Sequence, residues 1–144
     1  MKELKVVIDT NIWISYLLGG LLQSIDEKIL TNEIKIVVSD AMLKELSEVS
    51  SRPKFENIFT TTRVKELFAL LDSYAIVVTP GQRIDICRDK KDNFLLEVAL
   101  EGKAAYLVTG DDDLLVLNRF KNIKIVSPKD FEEIWKEERG KATF

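Results

Sequence analysis

Short β-branched runs alternate with stretches of helical period along this chain, and that alternation outlines the fold. Residues 4–8, Leu-Lys-Val-Val-Ile, read as a first strand, because Val and Ile suit a pleated, buried surface. Residues 11–18 read as a short helix that Gly19-Gly20 ends. A second helix is expected over 21–30, with Leu22, Ile25 and Ile29 at helical spacing. Residues 34–38 form the second strand, and Ser39 is placed to cap a helix carrying Met42, Leu43, Leu46 and Val49 on its apolar side. Glu45 lies on the same side as Ala41 and Val49 and so borders the buried face.

Arg52-Pro53 breaks this pattern, leaving 50–62 as loop or short helix anchored by Phe55, Ile58 and Phe59. An amphipathic helix follows, marked by Val64, Leu67, Phe68, Leu70 and Leu71. Residues 75–78 are the third strand, closed by Pro80-Gly81. A polar connection over 84–91 leads to a helix over 92–101 that buries Leu95, Val98 and Ala99 and stops at Gly102. The fourth strand, 105–108, runs into Thr109-Gly110-Asp111-Asp112-Asp113, and a short helical turn over 114–117 precedes a fifth strand at 123–126. Ser127-Pro128-Lys129-Asp130 starts a last helix packed through Phe131, Ile134 and Trp135, with 137–144 as a frayed tail. Strands alternating with helices predict an α/β fold with a parallel sheet of about five strands covered on both faces. One domain over 1–136 accounts for the whole pattern.

Composition narrows the chemistry. The chain has 144 residues, enough to bury a core without disulfides or structural metals. Its lone Cys87 forms no internal disulfide and reads as a small half-buried side chain. Histidine is absent, which removes His-based acid–base schemes and typical zinc sites and leaves carboxylates as the chemical resource. The uncharged stretch 10–25 falls short of the roughly 20 apolar residues that span a bilayer, and residues 1–5 lack a signal-peptide core. No membrane association and a cytoplasmic place are therefore expected. A net charge of -3 argues mildly against simple electrostatic binding of nucleic acid, although cations held by an acid cluster reverse the sign locally.

Two strands end in acids, the first in Asp9 and the fourth in Thr109-Gly110-Asp111. In a parallel sheet both ends lie on one edge, so these side chains converge although about a hundred residues separate them. Glu45 follows the second strand on its helix, and Asp92 begins the helix that feeds the fourth. Carboxylates gathered so closely repel one another unless cations sit among them, and oxygen ligands without His or Cys favour Mg²⁺ or Mn²⁺. Two such ions about 4 Å apart suit phosphodiester hydrolysis. Taken singly, each acid has a plainer reading. Asp89 and Asp92 have the spacing of a helix cap, Asp111 to Asp113 that of a capped turn, and Glu45 that of a solvated helix residue. Asp9 has no obvious structural job.

Together, Val7-Ile8-Asp9-Thr10-Asn11, Ser39 through Glu45-Leu46, Asp89-Lys90-Lys91-Asp92-Asn93 and Leu107 through Leu115 resemble the PIN-domain family. The resemblance spans 4 to about 135 and is nearest to the prokaryotic, VapC-like branch described as toxin components of toxin–antitoxin systems. It implies a three-layer α/β/α sandwich and a metal-dependent ribonuclease acting on single-stranded RNA. By the same resemblance Asp9, Glu45, Asp92 and Asp111 match the acidic catalytic quartet, with Asp9, Asp92 and Asp111 as metal ligands. Asn11, Thr109, Asp113 and Asp89 are then supporting groups, Asp113 being an alternative to Asp111 and Asp89 to Asp92. An antitoxin partner and a homodimer are also implied. Lys44, Arg52, Lys54, Arg63, Arg83, Arg88, Lys90 and Lys91 are the candidates for phosphate contacts.

Other functions fit less well. A haloacid-dehalogenase-type phosphatase with Asp9 as nucleophile wants an acid two residues later, where Asn11 stands. A phospho-receiver module wants an acid after the third strand, which ends Val78-Thr79-Pro80-Gly81. A PIN-like domain that binds RNA or a partner without cutting is the remaining alternative.

Overall fold

The structure, a computed structural model, describes residues 4–55 and 61–142. Ile58 and Phe59, expected as loop anchors, lie outside the described residues. Six strands, β1 (Leu4–Ile8), β2 (Ile34–Val38), β3 (Ile76–Val77), β4 (Tyr106–Val108), β5 (Arg119–Phe120) and β6 (Ile123–Val126), form one sheet in the order β3-β2-β1-β4-β6-β5. All neighbours are parallel except β5 and β6. Among the described residues seven helices connect them: α1 (Thr10–Leu17), α2 (Ile25–Leu30), α3 (Asp40–Ser50), α4 (Thr61–Tyr74), α5 (Lys90–Glu101), α6 (Asp112–Leu115) and α7 (Pro128–Ala142), with a 3₁₀ turn at Pro53–Phe55.

The pleat of β1 explains the layers. Val6 and Ile8 enter one apolar cluster with side chains of α1, α2, α4 and α7, whereas Val7 enters another with Leu95, Leu96, Val98 and Ala99 of α5. All three β1 residues are fully buried, as a strand covered on both faces requires. The fold is therefore the expected α/β arrangement with a mostly parallel central sheet. From β1 the chain builds outward through β2 and β3, then returns to the other side of β1 with β4 and β6. That reversal falls between β1 and β4, where Ile8 pairs with Val108, and the chain leaves both strands at the crevice that such a switch opens.

Several expectations need correction. The sheet has six strands rather than about five, because Arg119–Phe120 folds back antiparallel on β6 through a tight turn with Lys121 at φ 53°. The second helix begins at Ile25 rather than residue 21, since Leu22 adopts φ 56°, a left-handed geometry no helix continues through. The third strand is trimmed to two residues and the fourth begins at Tyr106. Helix α5 begins at Lys90, so Asp92 lies inside its first turn and not at its start. Helix α7 continues through residues expected as a tail to Ala142, in keeping with the good helix formers Glu, Lys and Arg there. Gly102 does cap α5, yet its φ of -81° asks for no glycine; a Cβ there would collide with the Val37 side chain, so close packing of helix on strand is the reason. Among the described residues no helix is long and apolar enough to cross a membrane.

Candidate metal centre

Asp9 continues the β1–β4 ladder by one bond, its N–H donating to Val108 O at 3.0 Å, and then caps α1 by accepting the Asn11 N–H at 3.2 Å. Its other oxygen accepts the Thr109 hydroxyl at 2.9 Å, and that hydroxyl in turn accepts the Asp111 N–H at 3.1 Å. A fully buried threonine thus ties together the two strand ends that carry acids. Asp111 caps α6 by accepting the Asp113 N–H at 2.9 Å, and Asp89 caps α5 by accepting the Lys91 N–H at 2.9 Å. Three helix N-termini, each closed by an aspartate, meet at one edge of the sheet. Their dipoles offset part of the negative charge gathered there. Capping and site roles coincide at Asp9 and Asp111.

Asp92 is the acid buried outright, 4% exposed, and its Oδ2 finds no hydrogen-bond partner. Burial, then the Asp111 charge and a hydrogen bond with Asp111, raise its carboxyl from 3.8 to about 6, with Asp89 and Asp9 adding to the push. Asp92, Asp111 and Asp113 each offer an oxygen within 4.8 Å of the others. Asp113 therefore stands in the tight group where sequence reasoning had Asp9. Asp9, Glu45 and Asp89 line the same cavity, of about 320 Å³, together with Asp92 and Asp111. All four acids of the expected quartet border one space.

The residues present fit a hard divalent cation. Every donor is a carboxylate oxygen, a buried oxygen lacks a partner, and the Asp92 carboxyl is raised by burial first and by the neighbouring carboxylates second, both of which a bound cation would offset. Asp113 accepts from the exposed Arg88 through both oxygens, at 2.8 and 3.0 Å. Cys87 sits beside this cluster, and burial followed by the Asp92 charge pushes its thiol up, which makes it a poor nucleophile.

A second cavity of about 560 Å³ adjoins the first and shares Asn11, Glu45 and Lys91 with it. Its lining carries Lys44, Arg52, Lys54 and Lys91 alongside the apolar Ile14, Val49 and Phe55 and the acids Glu45 and Glu48. The eight basic candidates are thereby sorted. Lys90 lines the acid cavity and Arg88 is paired with Asp113. Arg63 serves the fold, donating to Leu17 O and Tyr16 O at the end of α1 and covering the Tyr16 ring at 4.7 Å. Arg83 lines neither cavity. Sequence reasoning missed Asn93, 5% exposed, whose side chain binds the backbone of Ile86 and Cys87. The available signal was an amide three residues before Leu96, in phase with the buried stripe of α5.

A family model for the PIN domain matches residues 5–113. An uncharacterised protein of Methanocaldococcus jannaschii is 32% identical over 142 residues, an alignment covering 91% of each chain. The matched span contains β4, all of β1 but Leu4, each acid of the cavity from Asp9 to Asp111, and Asp113 beside them. With its sheet switch point, its acid-ended strands and these matches, the chain belongs to the PIN domain family.

Proposed function

We propose that the protein is a metal-dependent endoribonuclease that hydrolyses phosphodiester bonds in single-stranded RNA at the acid cavity. PIN domains are generally metal-dependent nucleases, and the acidic group needed for that chemistry is present. The observation that carries the reading is the junction of the two cavities: a cluster built for cations opens onto a groove built for anions through Asn11, Glu45 and Lys91. A flexible strand lying in the groove would set its phosphates against Lys44, Arg52, Lys54 and Lys91 and bring one phosphate to the acids.

Asp92, Asp111 and Asp9 would hold Mg²⁺ or Mn²⁺, with Asp113 as a further oxygen donor. When bound, the cation supplies Lewis acidity for water activation and positive charge for the leaving oxygen. Thr109 fixes the Asp9 carboxylate for this task, and Asn11 fixes it from the α1 side through its backbone. Glu45 borders both cavities, where it orients the attacking water towards the phosphate and takes its proton. The finer reading of a homodimeric toxin neutralised by an antitoxin protein rests on the motif resemblance, and a cytoplasmic place rests on the composition.

Incubation of the purified protein with a pool of structured and unstructured RNAs in Mn²⁺ or Mg²⁺ tests the proposal. Cleavage of unpaired segments is expected, and Asp9→Asn or a chelator should abolish it, because the substitution removes a ligand charge while keeping shape. Identical cleavage by wild type and Asp9→Asn would mean a contaminating nuclease and would sink the assignment.

A further inference from the structure

Between β3 and α5 the chain runs without regular structure, yet its backbone is held in an ordered way. The Gly81 N–H donates to Glu101 Oε1 at 2.9 Å, the Ile84 N–H to Glu97 Oε2 at 3.1 Å, and the Ile86 and Cys87 N–H groups to Asn93 Oδ1 at 3.1 and 2.8 Å. The Asn93 amide returns a bond to Cys87 O at 3.1 Å. Positions 93, 97 and 101 recur every four residues and share one face of α5. Side chains of the helix thus supply the acceptors that a neighbouring strand would supply in a sheet. The segment 81–87 is a strap fastened along α5, and it advances towards the helix end that borders the acid cavity.

Its next residue is Arg88, whose guanidinium lies on both oxygens of Asp113. Asp113 belongs to the three-acid group that also contains the buried, unpartnered Asp92 Oδ2. A guanidinium and a divalent cation would both draw on the Asp113 carboxylate, and one nitrogen already engages its two oxygens. We infer that Arg88 is an internal competitor of the divalent cation for Asp113, and that Asn93 is the positioning residue that delivers it by clamping Ile86 and Cys87. This inference rests on the proposed metal centre. Linkage is reciprocal: whatever loosens Arg88 tightens cation binding, and cation binding frees Arg88.

Manganese titration of the full chain at pH 7.5 and low salt, read by calorimetry, tests this independently of any cleavage. Arg88 is 86% exposed, so Arg88→Gln removes the competitor without disturbing the core. It should tighten Mn²⁺ binding by about two- to fivefold, the range exposed ion pairs contribute, and the gain should shrink at high salt. Asn93→Ala should tighten binding in the same direction and add nothing in the Arg88→Gln background, a non-additivity that a purely structural role would not produce. Glu97→Ala, one turn further from the cavity, should act likewise but less strongly, and keeps the test open should Asn93→Ala fail to fold. Unchanged or weaker Mn²⁺ binding by Arg88→Gln would overturn the competition. An Asn93→Ala effect that persists without Arg88 would overturn the positioning role. Absence of Mn²⁺ binding by wild type and Arg88→Gln alike would overturn the metal centre itself, and the inference with it.

Discussion

The acid cavity and the basic groove share Asn11, Glu45 and Lys91, yet they are built in opposite ways. The cavity is assembled from distant parts of the chain and locked: Thr109 binds Asp9, and each capping aspartate binds its own helix. In the groove, by contrast, Lys44, Arg52 and Lys91 make no ion pair among the described residues, and Lys54 covers the Phe55 ring at 4.9 Å. A reaction centre has to hold its donors in place before substrate arrives, whereas contacts to a flexible polyanion work by charge and tolerate mobile side chains. The division also reconciles a net charge of -3 with the proposed anionic substrate, since Lys44, Arg52, Lys54 and Lys91 are gathered where the strand would lie.

The contrast should show first in kinetics. Substitutions in the cavity remove turnover. Removing Lys44 and Arg52 together should instead raise KM for single-stranded RNA about tenfold, as two phosphate interactions jointly worth about 1.4 kcal/mol would do, and leave Mn²⁺ affinity unchanged. The salt dependence of binding should also flatten by about 0.7 in log–log slope for each phosphate no longer neutralised. A fall in kcat without a change in KM or slope would erase the distinction between the two regions.

A smaller difference should appear in stability. The Asp92 carboxyl titrates near 6 in the folded protein against 3.8 in the unfolded chain, so the folded state holds its proton more tightly. Its contribution to metal-free stability is present below about pH 4 and is lost as pH rises through about 6. Denaturant titrations from pH 4 to 7 should show this loss in wild type relative to Asp92→Asn. Replacing Lys44 or Arg52 should leave the pH profile as it is. Coincident wild-type and Asp92→Asn profiles would show that folding does not raise the Asp92 carboxyl.

How much of this could be read from residues alone follows from the range of each signal. β1 and β4 were legible with the acids that end them, because a buried apolar run stopped by a carboxylate is local, and a parallel sheet brings such ends to one edge. The Ser39 cap was legible for the same reason, and its hydroxyl accepts the Met42 N–H as expected. β5 was not, since two residues held by an antiparallel turn have no period. Nor was the left-handed Leu22, whose side chain is buried as a helical Leu would be. The choice between Asp111 and Asp113 stayed open because both stand at the α6 start, and only the fold brings their oxygens together with Asp92. The Arg88–Asp113 pair and the strap along α5 join residues through side-chain interactions that no periodicity announces.

The most direct test of the account is Mn²⁺ binding at neutral pH by wild type and Asp92→Asn. Asp92 supplies the buried oxygen that lacks a partner, so the account predicts saturable binding by wild type and a loss of at least about tenfold in Asp92→Asn. Equal affinity in the two proteins, with both folded, would contradict it and leave the cavity a cluster of helix caps.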